Sequence, residues 1–285
     1  MIEHLSLPLM SLVVFGLTAS SLSSQEIANV VAPVEPADVE LIYKGEKKLR
    51  GLLITGGCCH NYLFQGLAIT SGIEAYGNIE WEVVRDGGTG TSAEIELYDD
   101  PNWAKGFDVV VHNECFARTT NPEYIRRITE VHRSGVPSVV IHCAMHTYRD
   151  AEIDDWRQFL GVTSKRHDHN SEYAVRVTKP AHPAMKGFPA NWVTPKDELY
   201  IVEKLWPTAT TLATSVSEKD GKEHPVIWVN EFGATKDKPG VRVFGTTYGH
   251  SDDTFRDPVF IRLLASGVFW AAGVLEEAPA GAKAP

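Results

Sequence analysis

Leu49–Gly57 reads LRGLLITGG. An apolar run stops on two glycines, the pattern of a strand buried on both faces. The period then changes. Phe64, Leu67, Ala68, Ile69 and Ile73 recur at helical spacing, predicting a helix over 64–76. IEWEVVR, Ile79–Arg85, is a second strand. A strand, a helix and a strand in this order make a βαβ unit, with parallel strands and a right-handed crossover.

The alternation continues outward. FDVVVHNE (107–114) predicts a third strand, and NPEYIRRITEVHRS (121–134) a helix opened by Asn-Pro. GVPSVVIHC (135–143) is a fourth strand, and DDWRQFLG (154–161) a helix closed by glycine. VRVFGTTYGH (241–250) is another strand. Between them EYAVRVTK, TATTLATS and PVIWVNEFG give residues 163–235 a β character. The fold class is α/β, with a mostly parallel, doubly wound sheet. Ligands of such sheets bind in the crevice outside the strand C-termini.

The ends of the chain differ in composition. LSLPLMSLVVFGLTA followed by SSLSS predicts a signal peptide over 1–24, cleaved between Ala19 and Gln25, although MIEH lacks a basic residue. Export to the periplasm or outside the cell follows; the alternative is a start codon misplaced upstream of a cytosolic protein. Residues 25–46 read as a linker or edge segment, 47–275 as one domain, and EEAPAGAKAP (276–285) as a disordered tail. The net charge of −10 argues against nucleic acid, whose phosphates need a basic face. No cluster of Lys and Arg offers a lipid-binding patch, so no membrane contact is expected after signal cleavage. No nucleotide cofactor is expected either.

Chemistry gathers at the predicted strand ends. His60 follows the first strand, His112 and Glu114 close the third, His142 and His146 follow the fourth, and His250 follows the last. Eleven histidines placed at random would not favour that pattern. If the chain turns helical after the fourth strand, His142 and His146 share a face, a spacing that can hold a divalent ion. The plain alternative is a histidine that hydrogen-bonds the strand end. His60 and His250 would complete a site of three imidazoles with His142, and protons should displace its ion as the pH drops through about 6. Glu198 in KDELY reads as a ligand or general base, and Asp197 as a turn or cap. His167 and His169 alternate on an extended segment, so both could face the site. His182 and His224 precede prolines and read as packing residues; His4 and His132 are set aside. Tyr62, Tyr148, Tyr200, Trp228 and Tyr248 border the same motifs and could stack on sugar rings, or simply be core.

The cysteines are Cys58, Cys59, Cys115 and Cys143. Neighbours such as Cys58 and Cys59 are not expected to pair, and no disulfide framework is evident. The absence of CxxC excludes a thiolate zinc ribbon.

The phrases LLITGGCCHNY, VVIHCAMHTY, AHPAMKGFP, KDELYIV, EHPVIWVNEFG and VRVFGTTYGHSDDTFRDPVFIRLLASGVFWAAG, in this order, resemble the ThuA-like family, named for trehalose utilisation. The resemblance spans roughly residues 49–273. It implies a class I glutamine-amidotransferase-like fold, a flavodoxin-like three-layer α/β/α sandwich. It also implies a role in catabolism of trehalose and related glycosides through 3-keto-sugars, on which some members resemble metal-dependent enzymes. In the amidotransferase fold a cysteine nucleophile occupies a glycine-flanked elbow near the place of Cys143. Here the flanks are IHCAM, without the glycines an elbow needs, so Cys143 reads as a small buried residue.

Three functions follow as expectations. The first is an exported enzyme in which Zn, Mn, Fe or Co, held by His60, His142 and His250, polarises a 3-keto group. Glu198 or His146 would remove the neighbouring proton, leading to β-elimination, or water would hydrolyse the glycoside. The second is a non-catalytic carbohydrate-binding or scaffold domain; a cysteine amidase using Cys143 ranks third.

Overall fold

The computed structural model describes residues 40–275. The signal peptide and tail expected from the sequence lie outside them. Among the described residues there are ten strands: β1 (Leu49–Gly57), β2 (Ile79–Arg85), β3 (Val109–Cys115), β4 (Ser138–Ile141), β5 (Val162–Ser171), β6 (Arg176–Val177), β7 (Asp197–Leu205), β8 (Ala209–Val216), β9 (Glu223–Phe232) and β10 (Val241–Thr246). Eight of them form one sheet in the order β2-β1-β3-β4-β10-β9-β8-β6. From β2 to β10 all neighbours are parallel; β9, β8 and β6 extend the sheet antiparallel. β5 and β7 pair separately.

The order reverses at β1, whose two parallel neighbours are β2 and β3. With right-handed crossovers, the connections on the two sides of that point lie on opposite faces of the sheet. On one side α1 (Tyr62–Glu74) packs against α5 (Pro258–Ala271), which follows the short α4 (Asp252–Arg256). On the other, α2 (Pro122–Arg133) packs against α3 (Asp155–Leu160). This is the expected α/β/α sandwich, and its residues say why. β3 is buried along its whole length, as a central parallel strand must be. β2 lies at the edge and turns Glu80 and Glu82 outward, where Glu80 meets Lys48 at 3.5 Å. Asn121 caps α2 through Glu123 N and Tyr124 N, and Gly161 ends α3 at φ 81°. Ile42 N and Tyr43 N donate to Tyr76 O, so the end of the expected linker lies along the domain edge.

Two expectations change. EYAVRVTK contributes only the two-residue β6. The β5–β7 pair forms a small second sheet, which the sequence showed only as general β character. Among the described residues no helix is long and apolar enough to cross a membrane.

Candidate functional site

Three parallel strands deliver three histidines to one place. After β1 the chain turns through Gly57 at φ 95°, where a Cβ would lie 2.3 Å from Cys115 O. That turn carries His60 towards the end of β4. His142, the residue after β4, sits at φ 45°, a left-handed backbone uncommon for a non-glycine residue. Beyond β10, Gly249 at φ 130° packs where a Cβ would come 2.9 Å from Ile141 Cγ2 and 3.2 Å from His142 Cβ. His250 therefore closes over His142. The ring centroids lie 5.0 Å apart for His60–His142, 5.0 Å for His60–His250 and 5.5 Å for His142–His250. One ligand nitrogen from each falls within 4.8 Å of the other two.

Backbone carbonyls set two tautomers. His142 Nδ1–H donates to Thr247 O at 2.5 Å, and His60 Nδ1–H donates to His250 O at 3.3 Å. Each leaves its Nε2 lone pair directed elsewhere. His60 Nε2 and His250 Nδ1 are buried atoms without a hydrogen-bond partner, a costly state unless something fills the space between them. Burial, helped by the neighbouring His250, pushes His60 down to about 4. Burial, then the adjacent His60, holds His142 well below the usual imidazole range. Both are neutral at pH 7, as metal ligands must be.

β7 supplies the carboxylates. Glu198 Oε2 lies 3.4 Å from His250 Nδ1, off hydrogen-bond geometry, and 3.8 Å from His142 Nε2; its Oε1 lies 3.4 Å from His167 Nδ1. Two residues on, and so on the same face of the strand, the Tyr200 hydroxyl donates to His142 Nε2 at 3.2 Å, marking where that lone pair points. Asp197 faces the other way. It accepts from His250 N at 3.1 Å, Gly249 N at 3.1 Å and the Thr254 hydroxyl, and so clamps the loop that carries His250. Burial raises its carboxyl to about 6 against the opposing Thr254 and backbone hydrogen bonds.

Several expectations are corrected. Residues His142–Met145 form a 3-10 turn, not an α-helix, so His146 does not stack over His142 on one face. Its ring lies flat on Tyr200 at 3.8 Å, with Nε2 on Ser164 Oγ and Nδ1 beside Arg149. His146 therefore supports Tyr200 rather than facing the three rings. The expected aromatic stacking wall is absent. Tyr148 and Trp228 belong to the hydrophobic core, and the Tyr248 hydroxyl donates to Ser215 in the interior. Tyr62 is buried beneath His60, with its hydroxyl on Cys58 O, and Tyr200 is buried beside His142. His112 sits mid-strand, below the sheet edge, between Glu114 at 2.8 Å and the buried His132 at 2.9 Å. Register breaks on both sides of His167 in β5 undo the simple alternation. His167 meets Glu198, while His169 turns out to Glu218.

The cysteines are the largest departure. Cys58 is bonded to Cys59, and Cys115 to Cys143. The neighbouring ends of β3 and β4 bring Cys115 and Cys143 within disulfide reach, a pairing that no sequence spacing reveals. Cys143 is buried, as expected, and not a free thiol.

The family model for ThuA, trehalose utilisation, matches residues 75–271. The chain belongs to the ThuA family. A ThuA-like protein from Parabacteroides merdae superposes with a TM-score of 0.60 at 21% identity, over 84% of this chain and 94% of that one. A second, from Bacteroides uniformis, gives 0.58 at 15% identity, over 80% and 93%. At these identities the likeness speaks for the fold shared across the ThuA family. A search of curated proteins finds no match.

Proposed function

We propose that this ThuA-family protein is a metal-assisted enzyme of carbohydrate catabolism, exported and acting on a 3-keto-glycoside or related oxidised sugar. One observation carries the reading: the His60, His142 and His250 rings converge beside Glu198 while two of their buried nitrogens lack a partner. Three imidazoles suit Zn, Mn, Fe or Co and leave a position open for substrate. A bound ion would polarise the sugar ketone and favour removal of the adjacent proton.

The chain's own groups do the rest. The Thr247 and His250 carbonyls fix two imidazoles in the tautomer that offers Nε2. Glu198 takes the proton from the carbon beside the ketone and returns it to the departing glycosidic oxygen, so that the elimination balances. In the hydrolytic variant the same carboxylate takes a proton from water. His167 steadies Glu198 through Oε1.

The test compares a 3-keto-glucoside with the unmodified glucoside in D2O, using protein supplied with each ion. Turnover of the keto sugar alone, giving an enone that has lost the hydrogen beside the ketone, is expected for elimination; direct hydrolysis would keep that hydrogen as protium. Glu198→Gln should lower kcat by about 10²–10⁴-fold, the usual contribution of a general base, and retain the ion. Tight binding of both sugars without turnover of either would instead identify a carbohydrate-binding domain.

A further inference from the structure

All four cysteines gather where the strand order reverses. Cys58 and Cys59 follow β1, Cys115 ends β3, and Cys143 follows β4 next to His142. Between the two disulfides the gap is small: Cys58 Sγ lies 3.7 Å from Cys115 Sγ. The two pairs differ in exposure. Cys59 is exposed, Cys58 half-buried, Cys115 3% exposed and Cys143 5% exposed. Cys58, Cys115 and Cys143 pack together around Tyr62, whose hydroxyl holds the Cys58 carbonyl at 2.9 Å. A disulfide stabilises chiefly by closing a loop in the unfolded chain. Adjacent residues enclose none, so the Cys58–Cys59 bond has little structural value and calls for a chemical one.

We propose that the four cysteines form a two-disulfide relay, which carries reducing equivalents from an external dithiol at Cys59 to the buried Cys115–Cys143 bond beside the histidine site. A thiolate of the dithiol attacks the exposed Cys59 sulfur, and Cys58 leaves as thiolate. The second thiol of the dithiol displaces Cys59, releasing the cyclic disulfide and leaving two cysteine thiols. Cys58 attacks Cys115, forming the Cys58–Cys115 bond as Cys143 leaves and takes up a proton. Cys59 then attacks Cys58, the surface disulfide reforms, and Cys115 leaves. The dithiol has lost two electrons and two protons; the buried pair has gained both.

Partial reduction with dithiothreitol, acid quenching, alkylation with N-ethylmaleimide and peptide mapping test the relay. In the wild-type protein label should appear at Cys143 together with a Cys58–Cys115 cross-linked peptide. Cys59→Ser, purified without reductant, should carry that same cross-link and a free Cys143. Removing the surface pair with Cys58→Ser and Cys59→Ser should slow reduction of Cys115–Cys143 at least tenfold. The relay is wrong if Cys143 labels equally fast without the surface pair, or if Cys59→Ser keeps Cys115–Cys143 intact with a free Cys58. The wild-type time course needs no variant to fold: label confined to Cys58 and Cys59, with no cross-link, also overturns it.

Discussion

His142 shows how much one residue carries. Its left-handed backbone turns the chain off β4, its Nδ1 is anchored on Thr247 O, and its Nε2 is directed at the Tyr200 hydroxyl in the site. Strain of this kind costs about 1–3 kcal/mol, and here it points an imidazole outward past the strand end. Gly249 makes the matching allowance on β10. Gly249→Ala adds a Cβ against Ile141 and His142 at a φ that disfavours any side chain. It should weaken divalent-ion binding at least tenfold in a chelator competition; wild-type affinity would show that the loop position does not matter. The sequence revealed which histidines end strands. It did not reveal tautomers, because those depend on carbonyls of Thr247 and His250 that only the folded loop brings near. Nor did it separate Tyr148, Trp228 and Tyr248, which fill the interior, from residues of the site.

At the scale of elements, period decided what could be read. β1 and β2 match their sequence segments residue for residue, since long apolar or alternating runs leave little choice. β5 did not announce itself, because bulges break its alternation and its residues are mostly polar. Those bulges separate two histidines that the spacing had left equivalent. His167→Ala should lower turnover of the keto sugar, while His169→Ala should leave it within twofold; the reverse pattern would mean that β5 presents its other face in solution. The caps are independent of the site. Asn121→Ala removes the side-chain acceptor for Glu123 N and Tyr124 N, and should cost about 1 kcal/mol in urea unfolding with ion binding unchanged. The region after β4 was open to an α-helical reading and forms a 3-10 turn instead, and that difference of pitch is what takes His146 away from His142.

For the whole molecule, buried imidazoles make stability fall with acid. His60 drops from 6.5 to about 4 on folding, so as pH falls the unfolded chain takes up its proton first. Its contribution is full above 6.5 and lost as pH falls towards 4, about 3 kcal/mol at ~1.4 kcal/mol per pKa unit. His132, His142 and His146 shift in the same direction, also chiefly through burial. Asp197, raised from 3.8 to about 6, and Glu74, also raised by burial, work against them. Four groups against two predict a urea midpoint lower at pH 4.5 than at pH 7; an equal or higher midpoint would show that these rings are not buried neutral. The same depression should delay proton displacement of a bound ion from about pH 6, expected of an ordinary imidazole, towards the lower value of His60. The central claim is the ion itself, and anomalous diffraction at the metal absorption edges of the native crystallised protein tests it most directly. The account predicts one peak about 2.0–2.2 Å from a nitrogen of each of His60, His142 and His250. No peak there with Zn, Mn, Fe or Co supplied, or a peak held by other residues, would contradict it.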